Sequence, residues 1–443
     1  MFDATSTTST TAGLSTFRQI SYVFNFDDDR GQTWTVSGKP KNTEVGGPLA
    51  AHVFDLPGTY VVKLRATDPA GAFSDTTVTI TVSDPNVVYA GTKTVCVSPT
   101  SNYSGCPSGS AQQTNYPSTW NGKRVLLHRG ESFGAISIQD GNTNVQVGAY
   151  GIPVYSGGEV AGKGANDKPV VPSIGIGNTR PNTTVFPTDI TVAGLNVQNG
   201  IQQTMGSRVL LYRNEVHAVN GNVAIYIGQV EFWQNGDCCR VIPKEAFYNA
   251  RELFLVENVA IGETTPSGPQ VQVFGDGSRV ALLGNVMGRQ QQHTVRLTAL
   301  NRGVLAHNNL QGISADGIRL ALKLHSMGLN PYADSSLNDS TGRGGWASNL
   351  IVISNNVFGS TEDNNAWTIA IAPQNETVAE GIEDAIVENN KFARGPKTTT
   401  DAVVLGRRLT GRGNATLDGR SMNVGTEPND ELPPEWIGPY YEQ

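Results

Sequence analysis

Between Arg279 and His325 the sequence states one phrase twice. Arg279-Val280-Ala281-Leu282-Leu283-Gly284-Asn285-Val286-Met287 is followed by Arg302-Gly303-Val304-Leu305-Ala306-His307-Asn308-Asn309-Leu310, with Asn285 and Asn308 separated by 23 residues. Similar phrases carry Asn214, Asn258, Asn355, Asn389 and Asn414. A unit this short cannot bury its own apolar face, so successive units must stack to build a core. Steps of 23 and 25 residues suit one coil, whereas steps of 44 and 47 predict an extra coil or a protruding loop. Asn tolerates the left-handed conformation and stacks on its own kind, so the Asn series is expected to be a structural ladder.

A second strand type lies between these phrases. His293-Thr294-Val295-Arg296-Leu297 and Leu320-Ala321-Leu322-Lys323-Leu324-His325 alternate aliphatic with other residues, the pattern of a strand with one buried face. Only 16% of the 443 residues are charged and 50 are Gly, a balance that favours a turn-rich β protein. The net charge of −7, without a basic tail, argues against a general nucleic-acid binder. No apolar run is long enough to span a membrane, and the N-terminus lacks the signature of a signal peptide. Of the four cysteines, Cys96 and Cys106 bracket a loop that a disulfide would staple. The adjacent Cys238 and Cys239 would form a strained bridge and are expected as partly buried thiols.

The first strand is Ile20-Ser21-Tyr22-Val23-Phe24-Asn25-Phe26, running into Asp27-Asp28-Asp29. His52-Val53-Phe54 and Pro57-Gly58-Thr59-Tyr60 follow, then a strand from Thr76 to Val82. Residues 3–83 thereby resemble the PKD family of immunoglobulin-like β-sandwiches, modules that serve as spacers or adhesion units. The usual turn glycines are replaced at Asp27, Asp28 and Asp29, three carboxylates that form either an exposed acidic turn or a calcium site. No other cofactor is expected.

Val145-Gln146-Val147-Gly148-Ala149-Tyr150-Gly151 resembles the first coils of right-handed parallel β-helix proteins of the pectate-lyase-like class. With Ala321 to His325, Trp367 to Asn375 and Val387 to Asn390, residues 120–420 resemble bacterial proteins that join a PKD-like domain to such a helix. The expected organisation is all-β: a sandwich at 1–84, a loop-rich connector at 85–121, a β-helix at 122–420 and a cap or docking tail at 421–443.

Stacking the second strand type places Gln272, Arg296, Lys323, Ala370 and Val404 in one outward column. Adjacent Arg296 and Lys323 repel unless something anionic lies over them. His325 falls on the same face, His293 flanks the strand of Arg296, and His307, Asp316 and Arg319 are placed on connecting turns. This pattern suits β-elimination on an acidic polysaccharide: Arg296 neutralises a uronate carboxylate, Lys323 or His325 is the base, and His293 or His307 protonates the leaving oxygen. Gln272, Arg319, Tyr332, Trp346 and Trp367 are candidate sugar contacts. Hydrolysis needs two carboxylates, for which Asp316, Asp276 and Glu257 are nearby. The Asn-Thr-Asp, Asp-Asp and Gly-His-Gly elements of polygalacturonases and the Arg-x-Pro-x-x-Arg element of pectate lyases are absent.

Two readings of function stay open. One is an extracellular or surface-exposed protein that binds or processes a polysaccharide, as a lyase on an acidic polymer. The other is a non-enzymatic structural or adhesion protein, a virion spike or surface fibre, assembled as a homo-oligomer or larger particle, with the charged column a solvated face.

Overall fold

The computed structural model describes residues 1–154, 165–177, 185–204, 206–218, 222–228, 232–234, 237–240, 251–262, 269, 271–310, 320–325, 348–359, 367–371, 382–392 and 407–421. Tyr22, Phe24 and Phe26 alternate with Ser21, Val23 and Asn25, so one face of Ser21–Asn25, continued by Phe26, carries the aromatics inward. That strand is central in an antiparallel sheet ordered Thr43–Gly46, Ser21–Asn25, Gly58–Thr67, Phe73–Val82. A second layer is the pair Phe2–Asp3 and Leu49–Ala50. Asp27 adopts φ 58° at the turn and accepts the Val61 N–H at 2.8 Å. The Asp28 carboxylate is taken by Arg30, at 2.5 and 2.7 Å, and by His52 at 2.9 Å. Among the described residues no group of three or more His, Cys, Asp or Glu side chains stands together as for a metal ion.

The rest of the described chain is a right-handed parallel β-helix of three faces. The first face stacks Thr188–Ala193, Ser207–Tyr212, Arg251–Val256, the later halves of Val271–Leu283 and Val295–Ala306, then Ser348–Ser354, Ile382–Glu388 and Arg407–Arg412. The second face is a row of strands of two or three residues, from Val170–Val171 to Ala415–Thr416. The third stacks Ile136–Ile138, Ile174–Ile176, Ile201–Thr204, Val223–Ile227, the opening halves of the two long strands, Leu320–His325 and Trp367–Ile371. Inward aliphatics from all three faces form one continuous core.

The region 85–121 is more than a connector, because Thr94–Val97 and Ala111–Gln113 pair in parallel and Thr94–Val97 also pairs with Arg124–His128. Cys96 and Cys106, joined by a disulfide, clamp this first coil. The ladder runs Asn214, Asn258, Asn285, Asn308, Asn356, Asn390, Asn414, each side chain bonding the next. Asn355 and Asn389 are not its members. Each takes the left-handed corner just before a rung, with φ 56° and 53°, and the second Asn of each doublet turns into the core. The 44-residue step from Asn214 to Asn258 is one coil, since Ser207–Tyr212 pairs directly with Arg251–Val256.

The sandwich is docked on the outer surface of the first face. Phe17, Trp34, Leu49 and Ala51 pack on Val256, Ala281, Leu283, Val304, Ala306, Val352 and Ile386. Polar contacts frame this seam: Arg302 donates to Asp3 at 2.8 Å, and Lys41 pairs with Glu257.

Candidate functional site

The third face carries the cations. Val273, Val295, Leu297, Leu322 and Leu324 belong to the core, so the residues between them lie on the outer side. The observed register aligns Tyr226 with Phe274, Phe274 with Arg296, Arg296 with Lys323, and Lys323 with Ala370. Arg296 and Lys323 are therefore on adjacent strands, about 4.8 Å apart in backbone spacing. The Arg296 guanidinium lies 5.0 Å from the centre of the Phe274 ring, which fixes the cation over an aromatic floor.

Gln272 does not belong to this column. It is buried and donates to the Gly288 carbonyl at 2.6 Å, and Phe274 takes the place expected for it. Gly275 is in register with the core residue Leu297. It occupies an inward position where a Cβ would come within 1.9 Å of the Ile227 carbonyl oxygen, so the aliphatic pattern breaks there.

The register continues two residues further along these strands. Asp276 is in register with Thr298, and Thr298 with His325. Asp276 is 1% exposed, and Gly228 approaches it so closely that a Cβ there would meet Asp276 Oδ1 at 2.1 Å. By backbone register, Phe274 and Asp276, Arg296 and Thr298, and Lys323 and His325 hold matching positions on three successive strands. Asp276 is the group that sequence reading undervalued. Its signal was the spacing Phe274-x-Asp276, which matches Arg296-x-Thr298 and Lys323-x-His325.

Other expected residues are placed elsewhere. His307 is not at this site. Its Nε2 lies 2.7 Å from Glu44 Oε2, its Nδ1 2.7 Å from Ser37 Oγ, and its ring stacks on Trp34 at 5.0 Å. It is buried in the seam under the sandwich, where no leaving group reaches it. Glu257 is in the same seam, held by Lys41 and by Arg213. His293 is buried just before the Arg296 strand. Trp367 opens its strand opposite Leu320. Asp316, Arg319, Tyr332, Trp346 and Val404 lie outside the described residues, as does the tail after Ser421. Cys238 and Cys239 fall on Asp237–Arg240, a strand paired antiparallel with Phe232–Gln234.

Chain length between strands also singles out this face. Only Arg213 and Asn214 separate Tyr212 from Glu215 at a corner between the first and second faces. By contrast 22 residues separate His325 from Ser348, nine separate Leu310 from Leu320, and ten separate Ile371 from Ile382. All of these long connections enter or leave the third face, and binding residues concentrate on such segments of a rigid scaffold.

Residues 1–82 match the PKD domain family. Among solved structures, the chain is similar to the A-module of the Azotobacter vinelandii mannuronan C-5 epimerase AlgE6, at 11% identity and TM-score 0.34, covering 70% of this chain and 83% of that one. It is similar to the catalytic domain of a GH87 α-1,3-glucanase, at 12% identity and TM-score 0.33, over 90% and 66%. A family 28 exopolygalacturonase of Yersinia enterocolitica aligns at 10% identity and TM-score 0.27, over 93% and 96%. No curated protein matches the chain. The class defined by the fold is a PKD-type sandwich docked on a parallel β-helix, and no residue role here rests on the three solved structures.

Proposed function

We propose that the third face binds an acidic polysaccharide and cleaves it by β-elimination. The observation that carries this reading is the pair Arg296 and Lys323, aligned on adjacent strands with Phe274 beneath the guanidinium. Two cations at that spacing favour anionic groups bound across them. Arg296 neutralises the uronate carboxylate and thereby acidifies the C5 proton. Lys323 or His325 removes that proton, the C4–O4 bond breaks, a C4=C5 double bond forms, and the leaving oxygen takes up a proton. Among the described strand residues of this face Asp276 is the lone carboxylate. Hydrolysis through paired carboxylates needs a second, which favours elimination.

Purified protein incubated with alginate, polygalacturonate and glycosaminoglycans is expected to raise ultraviolet absorbance at the unsaturated-uronate band with at least one polymer. An Arg296→Ala/Lys323→Ala double variant should lose both that signal and retention on the polymer. Reducing ends without the absorbance would replace elimination by hydrolysis, and no retention of any acidic polymer would sink the binding reading as well.

A further inference from the structure

We propose that the sandwich dimerises with a second copy of this chain by antiparallel pairing of its outer strand, Phe73–Val82. The sheet order makes that strand an edge, joined to Gly58–Thr67 through ten consecutive residue pairs with no register shift. The opposite edge, Thr43–Gly46, is already used. Glu44 bonds His307 of the β-helix, and Gly46 abuts Glu388. Among the described residues Phe73–Val82 is therefore the open edge, on the far side of the sheet from that docking seam.

Natural edge strands are blunted by Lys, Pro, bulges or shortness. Phe73–Val82 has ten residues, no Lys, no Pro and no residue with positive φ, and seven of its positions from Ser74 on are Thr, Val or Ile. Its one charge, Asp75, is matched by a two-pronged bond from Arg65 at 2.7 and 2.8 Å. The edge is thus long, straight, neutral and rich in β-branched residues, a template for another strand.

Its inner face tells which strand fits. Val62 and Val78 are cross-strand partners on the face that carries the sandwich core, yet Val62 is 2% exposed and Val78 48%. The two-stranded second layer leaves Val78 uncovered. A twofold axis through Val78, normal to the sheet, places Val78 opposite Val78, Thr76 opposite Ile80 and Ser74 opposite Val82. Inner residues meet inner residues, and Asp75 faces Thr81 rather than its own mate. A self-complementary patch of this kind is what an isologous dimer requires, and it joins two four-stranded sheets into one.

The test is the mass of the full chain in solution by sedimentation. Wild type is expected at twice the chain mass, Val78→Lys at the single-chain mass, and Thr77→Lys, on the other face opposite Thr79, still at twice. The first substitution sets two ammonium groups across a cross-strand pair, about 4.5–5.5 Å apart between backbones. Circular dichroism reports whether the lysine variant is folded. If it is not, Val78→Cys decides, because the proposed register makes it form a disulfide-linked dimer on oxidation beyond any wild-type background. A wild-type chain at single mass overturns the proposal, and so does a folded Val78→Lys dimer or a Val78→Cys chain that fails to cross-link.

Discussion

The Asn355-Asn356 doublet offers a sharp test of the ladder, because neighbouring identical residues are assigned opposite roles. Asn356 is buried, and its Oδ1 accepts both the backbone N–H and the Nδ2 of Asn308 at 2.9 Å. Its own Nδ2 donates to the Leu305 carbonyl at 2.7 Å and to Asn390 Oδ1 at 3.0 Å. Asn356→Ala removes all four bonds and leaves two donors of Asn308 without an acceptor in the core. At about 1–3 kcal/mol for each orphaned buried donor, the loss should be about 2–6 kcal/mol. Asn355 has φ 56° at the corner, and among the described residues its side chain reaches Glu44 alone, at 3.4 Å. Asn355→Gly relieves the left-handed backbone and should change stability by less than about 1 kcal/mol. Because a solenoid can open locally, the assay pairs urea unfolding with hydrogen exchange at the Asn308 amide. That amide should lose protection in Asn356→Ala and keep it in Asn355→Gly. Equal effects from the two substitutions would refute the assignment of rungs and corners.

Three further outcomes follow from the seam and the first coil. Burial pushes the Glu388 carboxyl above its ordinary range, against the opposing pull of Arg412. Within the window up to that raised value the native state holds more protons than the unfolded one, so stability falls as pH rises. Glu388→Gln should therefore gain relative to wild type across that window, and a flat difference in pH-dependent unfolding would contradict the burial argument. Gly47 has no room for a side chain: a Cβ would come 2.7 Å from Val352 Cγ2 and 2.8 Å from Ile386 Cδ1. Gly47→Val should weaken docking by about 1–3 kcal/mol through overpacking, seen as faster proteolysis of the sandwich. Reducing Cys96–Cys106 should cost about 2–3 kcal/mol, concentrated in the first coil, and hydrogen exchange at Val95 and Val97 would report it.

The stacked coils were legible because their period is carried by the residues themselves, apolar strands closing on a corner and an Asn. What stayed hidden depended on contacts distant in sequence. His307 reads locally as a turn histidine, yet its partners Ser37 and Glu44 are 270 and 263 residues away. One signal did exist. Val280-Ala281-Leu282-Leu283 and Leu350-Ile351-Val352-Ile353 are apolar without alternation, which marks strands buried on both sides. Such runs on a solenoid announce a covering domain, and the sandwich supplies it. In the doublets Asn355-Asn356 and Asn389-Asn390, composition alone gives no ground for choosing the rung. The backbone chooses, by putting the first of each pair in the left-handed corner.

The same reasoning bears on where the proposed site lies. A three-faced solenoid has three outer surfaces on which to build a site. The sandwich covers much of the first in this chain, from Val256 to Ile386. The second consists of strands of two or three residues joined to the first by two-residue corners, such as Arg213 and Asn214, and offers little surface on which side chains can be arrayed. The third has longer strands where Val271–Leu283, Val295–Ala306 and Leu320–His325 stack, variable connections, and outward positions filled by Phe274, Asp276, Arg296 and Lys323 instead of the Thr and Ser of a merely solvated sheet. Glycines at 228 and 275 bring neighbouring backbone tight against it, where any Cβ would collide. Backbone drawn that close holds Asp276 and its neighbours in fixed positions, the rigidity that a binding surface needs if charge is to be presented at a constant spacing.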